Sequence, residues 1–334
     1  MAIDPNHDRV IRPPAGIDAW SENLFFLPFD AEREIGMAMH LGRSGQDPAF
    51  WREFVHVYLP DGQALVAKSF GRASDTPDRV GANALVYECL EPFRRWRATF
   101  DGMARRVPRD ELMAGVSVEG PYVRTFFELE FECLFDTPWQ AHTDIGPKTG
   151  GAFDGPGSFH YEQVCRARGA LTIGAETVEL DARGFRDHTR GVRRFTRRSG
   201  HTLLSGSFPD GTCLGFYQVR DIDGTPKFSQ GFVLENGLPQ DVEVIKAPHF
   251  THRSVPPEFE AVLRTAAGRE LVVEGSPVTS TPMTIISPND MLHGISLAPA
   301  DFSCLLSPSR LRLGDVGGVG HLELSALNQL VDAG

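Results

Sequence analysis

Hydrophobic and polar positions alternate along most of this chain. In TFFELEFECLF (125–135), Phe127, Leu129, Phe131, Cys133 and Phe135 fall on one side, and Glu128, Glu130 and Glu132 on the other. A helix would spread the glutamates around its circumference, whereas a strand resting on a core sends all of them outward. Short apolar runs such as EFVHVYL (53–59) and QALVAKSF (63–70), or AVLRT (261–265) and RELVVEG (269–275), flank tight turn signals. Those signals are PDG at 60–62 and 209–211, DG at 101–102, DIDG at 221–224, ENG at 235–237 and AAG at 266–268. The pattern predicts many short antiparallel strands, hence an all-β chain built as sandwiches or barrels. Helical patterning is scarce. LELSALNQLVDAG (322–334) predicts one short C-terminal helix, and EPFRRWRATF (91–100) reads equally as a helical turn or a strand.

At 334 residues the chain has room for two domains. Both halves carry the same kind of β pattern, which places the domains at 18–196 and 197–330, with the seam at the arginine-rich RRFTRRSG (193–200). TDIGPKTGGAFDGPG (143–157) is the longest stretch without a pattern, and predicts an ordered loop or lid.

Composition narrows the function. A formal net charge of −11 argues against nucleic acid or an anionic membrane as the main partner. No apolar run reaches the ~18 residues of a membrane span, and the charged N-terminus MAIDPNHDRVIRPP is unlike a signal peptide. These features predict a cytoplasmic protein with no stable membrane insertion. The five cysteines are far apart with no CxxC, which argues against a metal site or a disulfide framework and for buried thiols. No GxSxG, HExxH, dinucleotide fingerprint or kinase signature is present. VGGVGHLELS (316–325) lacks the lysine of a phosphate loop and reads as a tight lead-in to a last strand carrying His321 and Glu323. The expected cofactor is therefore none.

The candidate chemistry lies in GFRDHTRGVRRF (184–195). Read as a strand, it puts Phe185, Asp187, Thr189, Gly191 and Arg193 on one face, and Arg186, His188, Arg190 and Val192 on the other. Asp187 is open to three readings: a carboxylic acid kept protonated by an apolar wall, the partner of a neighbouring arginine, or a turn residue. A bulge at Gly191 or near Thr189 would re-aim His188. The seven arginines between 183 and 198 read as a solvated, acid-paired face. In FHYEQ (159–163), Tyr161 and Gln163 share one face with Phe159, and are candidates to orient a polar atom of a ligand. His160 and Glu162 share the other, with Glu162 as a second acid/base group.

HYEQ (160–163), GALTIGAETVELDARG (169–184) and FRDHTRG (185–191), in that order, resemble the two-domain lipocalin-like superfamily of bacterial carotenoid 1,2-hydratases, fungal kievitone hydratases and fungal Diels–Alderases. Its bacterial members usually run Gly-x-Arg-Asp-His-Ser-Trp-Gly, which Gly184, Arg186, Asp187, His188 and Gly191 match; Thr189 and Arg190 replace the serine and the tryptophan. WSENLFFLPFDAEREIGMAMHLGR (20–43), EPFRRWRATFDG (91–102) and GVGHLE (318–323) are also similar, so the resemblance covers about residues 20–325. It implies two antiparallel lipocalin-like β domains with a pocket at or near their junction, and chemistry without a cofactor on an apolar small molecule. It also implies an acid at Asp187 and, more loosely, a role for His188; the residues themselves offer His188 or Glu162 as the partner of that acid.

The resulting expectation is a hydratase, dehydratase or isomerase acting by acid/base catalysis on a terpenoid, steroid, polyketide or phenolic. Catalytic candidates are Asp187, His188 and Glu162; substrate-binding candidates are Tyr161, Gln163, His160, Phe185 and Arg190. The rival readings are a pericyclase and a non-catalytic binder of hydrophobic ligands, with glycoside hydrolysis by Glu162 and Asp187 a further one. The expected partner is a small apolar substrate, and a homodimer is compatible with the sequence.

Overall fold

The alternation seen in the sequence becomes two closed barrels. The computed structural model describes residues 4–17, 20–44, 47, 49–72, 76–113, 119–135, 139–142, 154–192, 200–221, 223–249, 256–284 and 302–327. The chain divides into two compact units, Met1–Pro108 with Glu119–Phe195, and Arg109–Val118 with Thr196–Gly334. The expected seam at 193–199 lies outside the described residues, as do 143–153 of the expected loop.

The first unit contains β1 (Trp20–Asp30), β2 (Ile35–Ser44), β3 (Trp51–Tyr58), β4 (Gln63–Gly71), β5 (Arg79–Gly81), β6 (Leu85–Glu91), β7 (Arg95–Pro108), β8 (Tyr122–Cys133), β9 (Trp139–His142), β10 (Asp154–Ile173) and β11 (Glu176–Val192). Eight of them pair antiparallel in the order β4-β3-β2-β1-β11-β10-β8-β7, and β7 returns to β4 to close the ring. The long β7 pairs with β8 along one edge and serves two neighbours on the other: Arg95–Phe100 pairs with β6, and Arg105–Pro108 with β4. Asp101 and Gly102 therefore lie inside a strand and not in the expected turn. EPFRRWRATF resolves into a turn at 92–94 followed by β7.

The period of two decides which side chains fill the barrel. Leu24 and Phe26 on β1, Met39 and Leu41 on β2, Val55 on β3, Trp96 on β7, and Phe127, Leu129 and Phe131 on β8 belong to one buried cluster. Each such side chain contributes roughly 1.5–3 kcal/mol by leaving water. The glutamates between the β8 aromatics point outward, as the alternation required.

The second unit contains a short helix, α1 (Arg109–Met113), then β12 (Gly200–Ser207), β13 (Cys213–Arg220), β14 (Pro226–Glu235), β15 (Leu238–Lys246), β16 (Phe259–Thr265), β17 (Glu270–Pro277), β18 (Thr281–Thr284), β19 (Phe302–Leu313) and β20 (Val316–Leu327). Again eight strands form a ring, β17-β16-β15-β14-β13-β12-β20-β19, closed by β17 against β19. The turn signals at 209–211, 221–224, 235–237 and 266–268 all connect hairpins. Asn236 and Gly237 both take positive φ, 53° and 76°, as a two-residue hairpin turn requires. Within the expected C-terminal helix, LELSAL instead continues β20 to Leu327, and 328–334 lie outside the described residues. Its alternation of leucines with Glu323 and Ser325 has the period of a strand, which outweighs the helix propensity of Leu, Glu and Ala.

Candidate functional site

The long hairpin β10–β11 carries every site residue expected from the sequence, and its register sorts them onto two faces. Glu162 lies directly opposite Asp187, His160 opposite Thr189 and Val164 opposite Phe185. In the alternate positions Tyr161 faces His188, Gln163 faces Arg186 and Phe159 faces Arg190. Opposed residues on antiparallel strands share a face. Asp187, Glu162, His160 and Phe185 are thus together on the outer face of the first barrel. His188, Tyr161, Gln163 and Arg190 point into its interior.

The inward set is a buried polar network. The Asp8 carboxylate accepts hydrogen bonds from the Arg186 guanidinium, the Tyr161 hydroxyl, the Phe93 backbone N–H and the Trp96 indole, the last at 2.9 Å. Gln163 receives Arg186 Nε on its amide oxygen at 3.0 Å, and donates to the Phe93 carbonyl at 2.8 Å. His188 Nε2 lies 3.0 Å from Glu22, which also receives Arg43 at 2.6 Å. Burial pushes the His188 pKa below its ordinary value, against the pull of Glu22. Burial works to raise Glu22, but its hydrogen bond to His188 and the charges of Arg43 and Arg190 hold it down. His188 is therefore a neutral donor to an ionised Glu22. Arg190 lies over the Phe159 ring at 5.3 Å and donates to the backbone carbonyls of His7 and Arg9.

Three expectations are corrected here. Arg186 and Arg190 are not on a solvated face: they are buried, at 0% and 3% exposure, among Asp8, Glu22 and backbone carbonyls. His188 is not the partner of Asp187, because the pleat sends adjacent residues to opposite sides of the sheet. Tyr161 and Arg190 hold the N-terminal segment in the barrel, and Gln163 binds Arg186 and the Phe93 carbonyl there, all away from the Asp187 face. A register shift does occur in this hairpin, but on β10 between Asp154 and Phe159, so it leaves His188 pointing inward. Gly191 sits opposite it at φ 134°, and a Cβ there would come within 2.6 Å of Ser158 Oγ, so only glycine fits.

The outward set extends across six strands. Asp187 pairs with Phe25 on β1, and Phe25 with His40 on β2, their rings 4.3 Å apart; His40 pairs with Phe54 on β3 at 5.2 Å. Phe54 in turn pairs with Lys68 on β4, whose pKa falls to about 8 through burial and the charge of Arg52. One row along, Thr189 Oγ1 lies 2.7 Å from His160 Nδ1, and His160 Nε2 lies 3.3 Å from Glu162. The Thr189 hydroxyl orients the imidazole. Asn23 Oδ1 meets His40 Nε2 at 3.1 Å. Gly42 makes room for that contact, since a Cβ there would come within 2.6 Å of the His40 ring and 2.7 Å of Asn23 Oδ1. Glu162, His160, Asn23 and Phe54 are buried, while Asp187, Phe25 and His40 are half-buried.

The strip therefore joins a carboxyl pair to an imidazole on one side and an aromatic wall on the other. Sequence reading missed Phe25, Asn23 and His40, whose only signal was the aromatic opening of the chain, and Phe54, which showed only as part of a strand run. Open concavities of about 640 Å³ beside Glu258, Glu274 and Arg310, and of about 360 Å³ beside Val10 and Arg43, lie elsewhere and are not lined by residues of this strip.

Solved structures share this architecture. A protein described as a putative AttH (NE1406) from Nitrosomonas europaea aligns with a TM-score of 0.60 at 13% identity, over 92% of each chain. CghA in complex with Sch210972 aligns at 0.56 and 12% identity, over 98% of this chain and 96% of that one. Kievitone hydratase from Nectria haematococca aligns at 0.52 and 11%, over 92% and 88%. At these identities the likeness is one of fold, and it is the two-domain lipocalin-like fold that the order of the sequence motifs implied. No curated protein matches the sequence. Residues 5–327 match the family described as a domain of unknown function (DUF7064), and this protein belongs to that family.

Proposed function

We propose that this protein is a hydratase or dehydratase that works by acid/base catalysis, without a cofactor, on an apolar small molecule carrying an alkene or a tertiary alcohol. The observation that carries the reading is the placement of Asp187 directly opposite Glu162, beside the Phe25–His40–Phe54 wall. Two carboxyl groups on opposed residues of one face, one of them buried, favour holding one proton between them. In the hydration direction, Asp187 gives its proton to an alkene carbon and becomes a carboxylate. Water adds to the cationic carbon and passes a proton to the Glu162 carboxylate. Transfer of that proton from Glu162 to Asp187 restores the starting state, and the net change is addition of one water. His160, held by Thr189, orients Glu162. The fold shared with a kievitone hydratase supports this chemistry.

Incubation in D₂O with a panel of terpenoid, steroid, polyketide and phenolic alkenes, followed by mass spectrometry, tests the reading. The expected result is protein-dependent gain or loss of water with carbon-bound deuterium. Asp187→Asn and Glu162→Gln should each lower the rate by roughly 10²–10⁴, the usual worth of a general acid or base. Full activity in Asp187→Asn would instead favour a pericyclase, which needs the aromatic wall of Phe25 and Phe54 but no proton donor.

A further inference from the structure

The second barrel carries an outward-facing cluster that the Asp187 strip does not use. β12, β20 and β19 lie side by side, and their register puts His201, Ser325 and Cys304 in one row across the three strands. Glu323 is the next outward position on the central strand, and His321 the one beyond it. The alternate residues Thr202, Leu204, Leu322, Leu324 and Leu305 turn inward, so none of the five polar groups belongs to the barrel's apolar filling.

The atoms of this row converge. His201 Nε2 lies 2.5 Å from Glu323 Oε1, and His201 Nδ1 lies 2.6 Å from Ser325 Oγ. Cys304 donates a hydrogen bond to Glu323. One ligand atom from each of His201, Cys304 and Glu323 lies within 4.8 Å of the other two. From these positions we infer that the outer face of the second barrel binds one divalent cation of the zinc class through His201 Nε2, Cys304 Sγ and a Glu323 carboxylate oxygen.

The chemistry of the donors fits. Imidazole, thiolate and carboxylate are the three ligand types of zinc, with bonds of about 2.0–2.3 Å, so ligand atoms stand about 3.3–3.8 Å apart. The cluster reaches that spacing when the 2.5 Å His201–Glu323 contact opens by about 1 Å and the longer separations, up to 4.8 Å, close by a similar amount. Ser325 already does what a supporting residue does at a metal-bound histidine: it holds the far ring nitrogen and fixes the ring's orientation. Binding would release the Cys304 proton, and the fourth position of a tetrahedral ion would be left to water or an oxygen ligand. His201, Cys304 and Ser325 are buried at 6%, 0% and 4% exposure, and the Glu323 side chain at 16% is the most open part of the cluster. A second observation points to a polar occupant. His321, 4% exposed, has its Nε2 buried without a hydrogen-bond partner on this same face.

The alternative is a plain buried histidine–glutamate pair, in which the thiol is incidental. Titration of the chelator-stripped full chain with Co²⁺ alone, then with Zn²⁺ alone, separates the two. The expected result is one ion per chain, with a thiolate-to-cobalt charge-transfer band that Zn²⁺ abolishes by displacement. Cys304→Ser should remove the band, and His201→Gln should weaken binding by at least ~100-fold; Ser325→Ala should weaken it by ~10-fold. Thiol alkylation read by mass spectrometry gives an answer without any variant: Zn²⁺ should protect Cys304 and leave the other cysteines unchanged. No binding by the wild-type chain, no charge-transfer band, or alkylation of Cys304 unaffected by Zn²⁺ would each overturn the inference.

Discussion

Asp187 and His188 are adjacent in sequence and belong to different parts of the molecule. Asp187 stands on the outer strip opposite Glu162, while His188 is fully buried and bonded to Glu22. Their substitutions should therefore fail in different ways. Asp187→Asn should leave the urea midpoint nearly unchanged while activity falls. His188→Ala should destabilise the first barrel by roughly 2–4 kcal/mol, because it opens a cavity and leaves the buried Glu22 short of a donor. The pH dependence follows from the same pair. The His188 pKa is below its unfolded value of 6.5, so its contribution is complete above pH 6.5 and lost as pH falls through the folded value. The Glu22 pKa is below its unfolded value of 4.5, so its contribution is complete above pH 4.5 and lost at lower pH. Urea unfolding of the wild type should weaken below pH 6.5, and His188→Gln should flatten the first part of that slope. An unchanged slope would mean that His188 is not buried as a neutral ring.

At the scale of elements, the hairpin β10–β11 does two jobs because a strand has two sides. Its inner side ties in the N-terminal segment through Asp8, whose carboxylate gathers donors from β7, β10 and β11. Its outer side carries the carboxyl pair. Asp8→Ala leaves the buried Arg186 without its counter-charge, and a broken buried pair typically costs about 3–5 kcal/mol. That loss should appear in hydrogen exchange as faster opening of the first barrel, with β12–β20 unaffected. Equal loss of protection in both units would show that they unfold as one. Arg190 also belongs to this inner job. It faces the interior and the N-terminal carbonyls, so its charge does not lie on the Asp187 strip.

For the whole molecule, large described side chains occupy the interior of the first barrel. Phe26, Tyr87, Trp96 and Phe131 pack there with Arg186 over the Phe26 and Trp96 rings. A hydrophobic ligand should therefore bind on the outer strip and not inside. A Phe54→Trp reporter should change its fluorescence when a ligand binds, and Trp96 should stay silent. A response from Trp96 alone would place the ligand inside the barrel.

Periodicity alone determined the all-β class, most of the hairpin turns and the face on which each residue of 159–163 and 184–192 lies, because a strand's side chains alternate whatever surrounds them. It also separated Asp187 from His188. It misread the C-terminal segment, where Leu, Glu and Ala favour a helix in isolation but cross-strand pairing with β12 and β19 holds a strand. Which face is core could not be read locally, since both sides of β11 carry charged and aromatic residues. Barrel closure decided that, and turned Arg186, Arg190, Tyr161 and Gln163 inward. Long-range register decided the rest: it brought Glu162 to Asp187 across 25 residues of chain, and His201 to Glu323 across 122. Local pattern fixes the direction of a side chain, but only the pairing of distant strands fixes what stands opposite it.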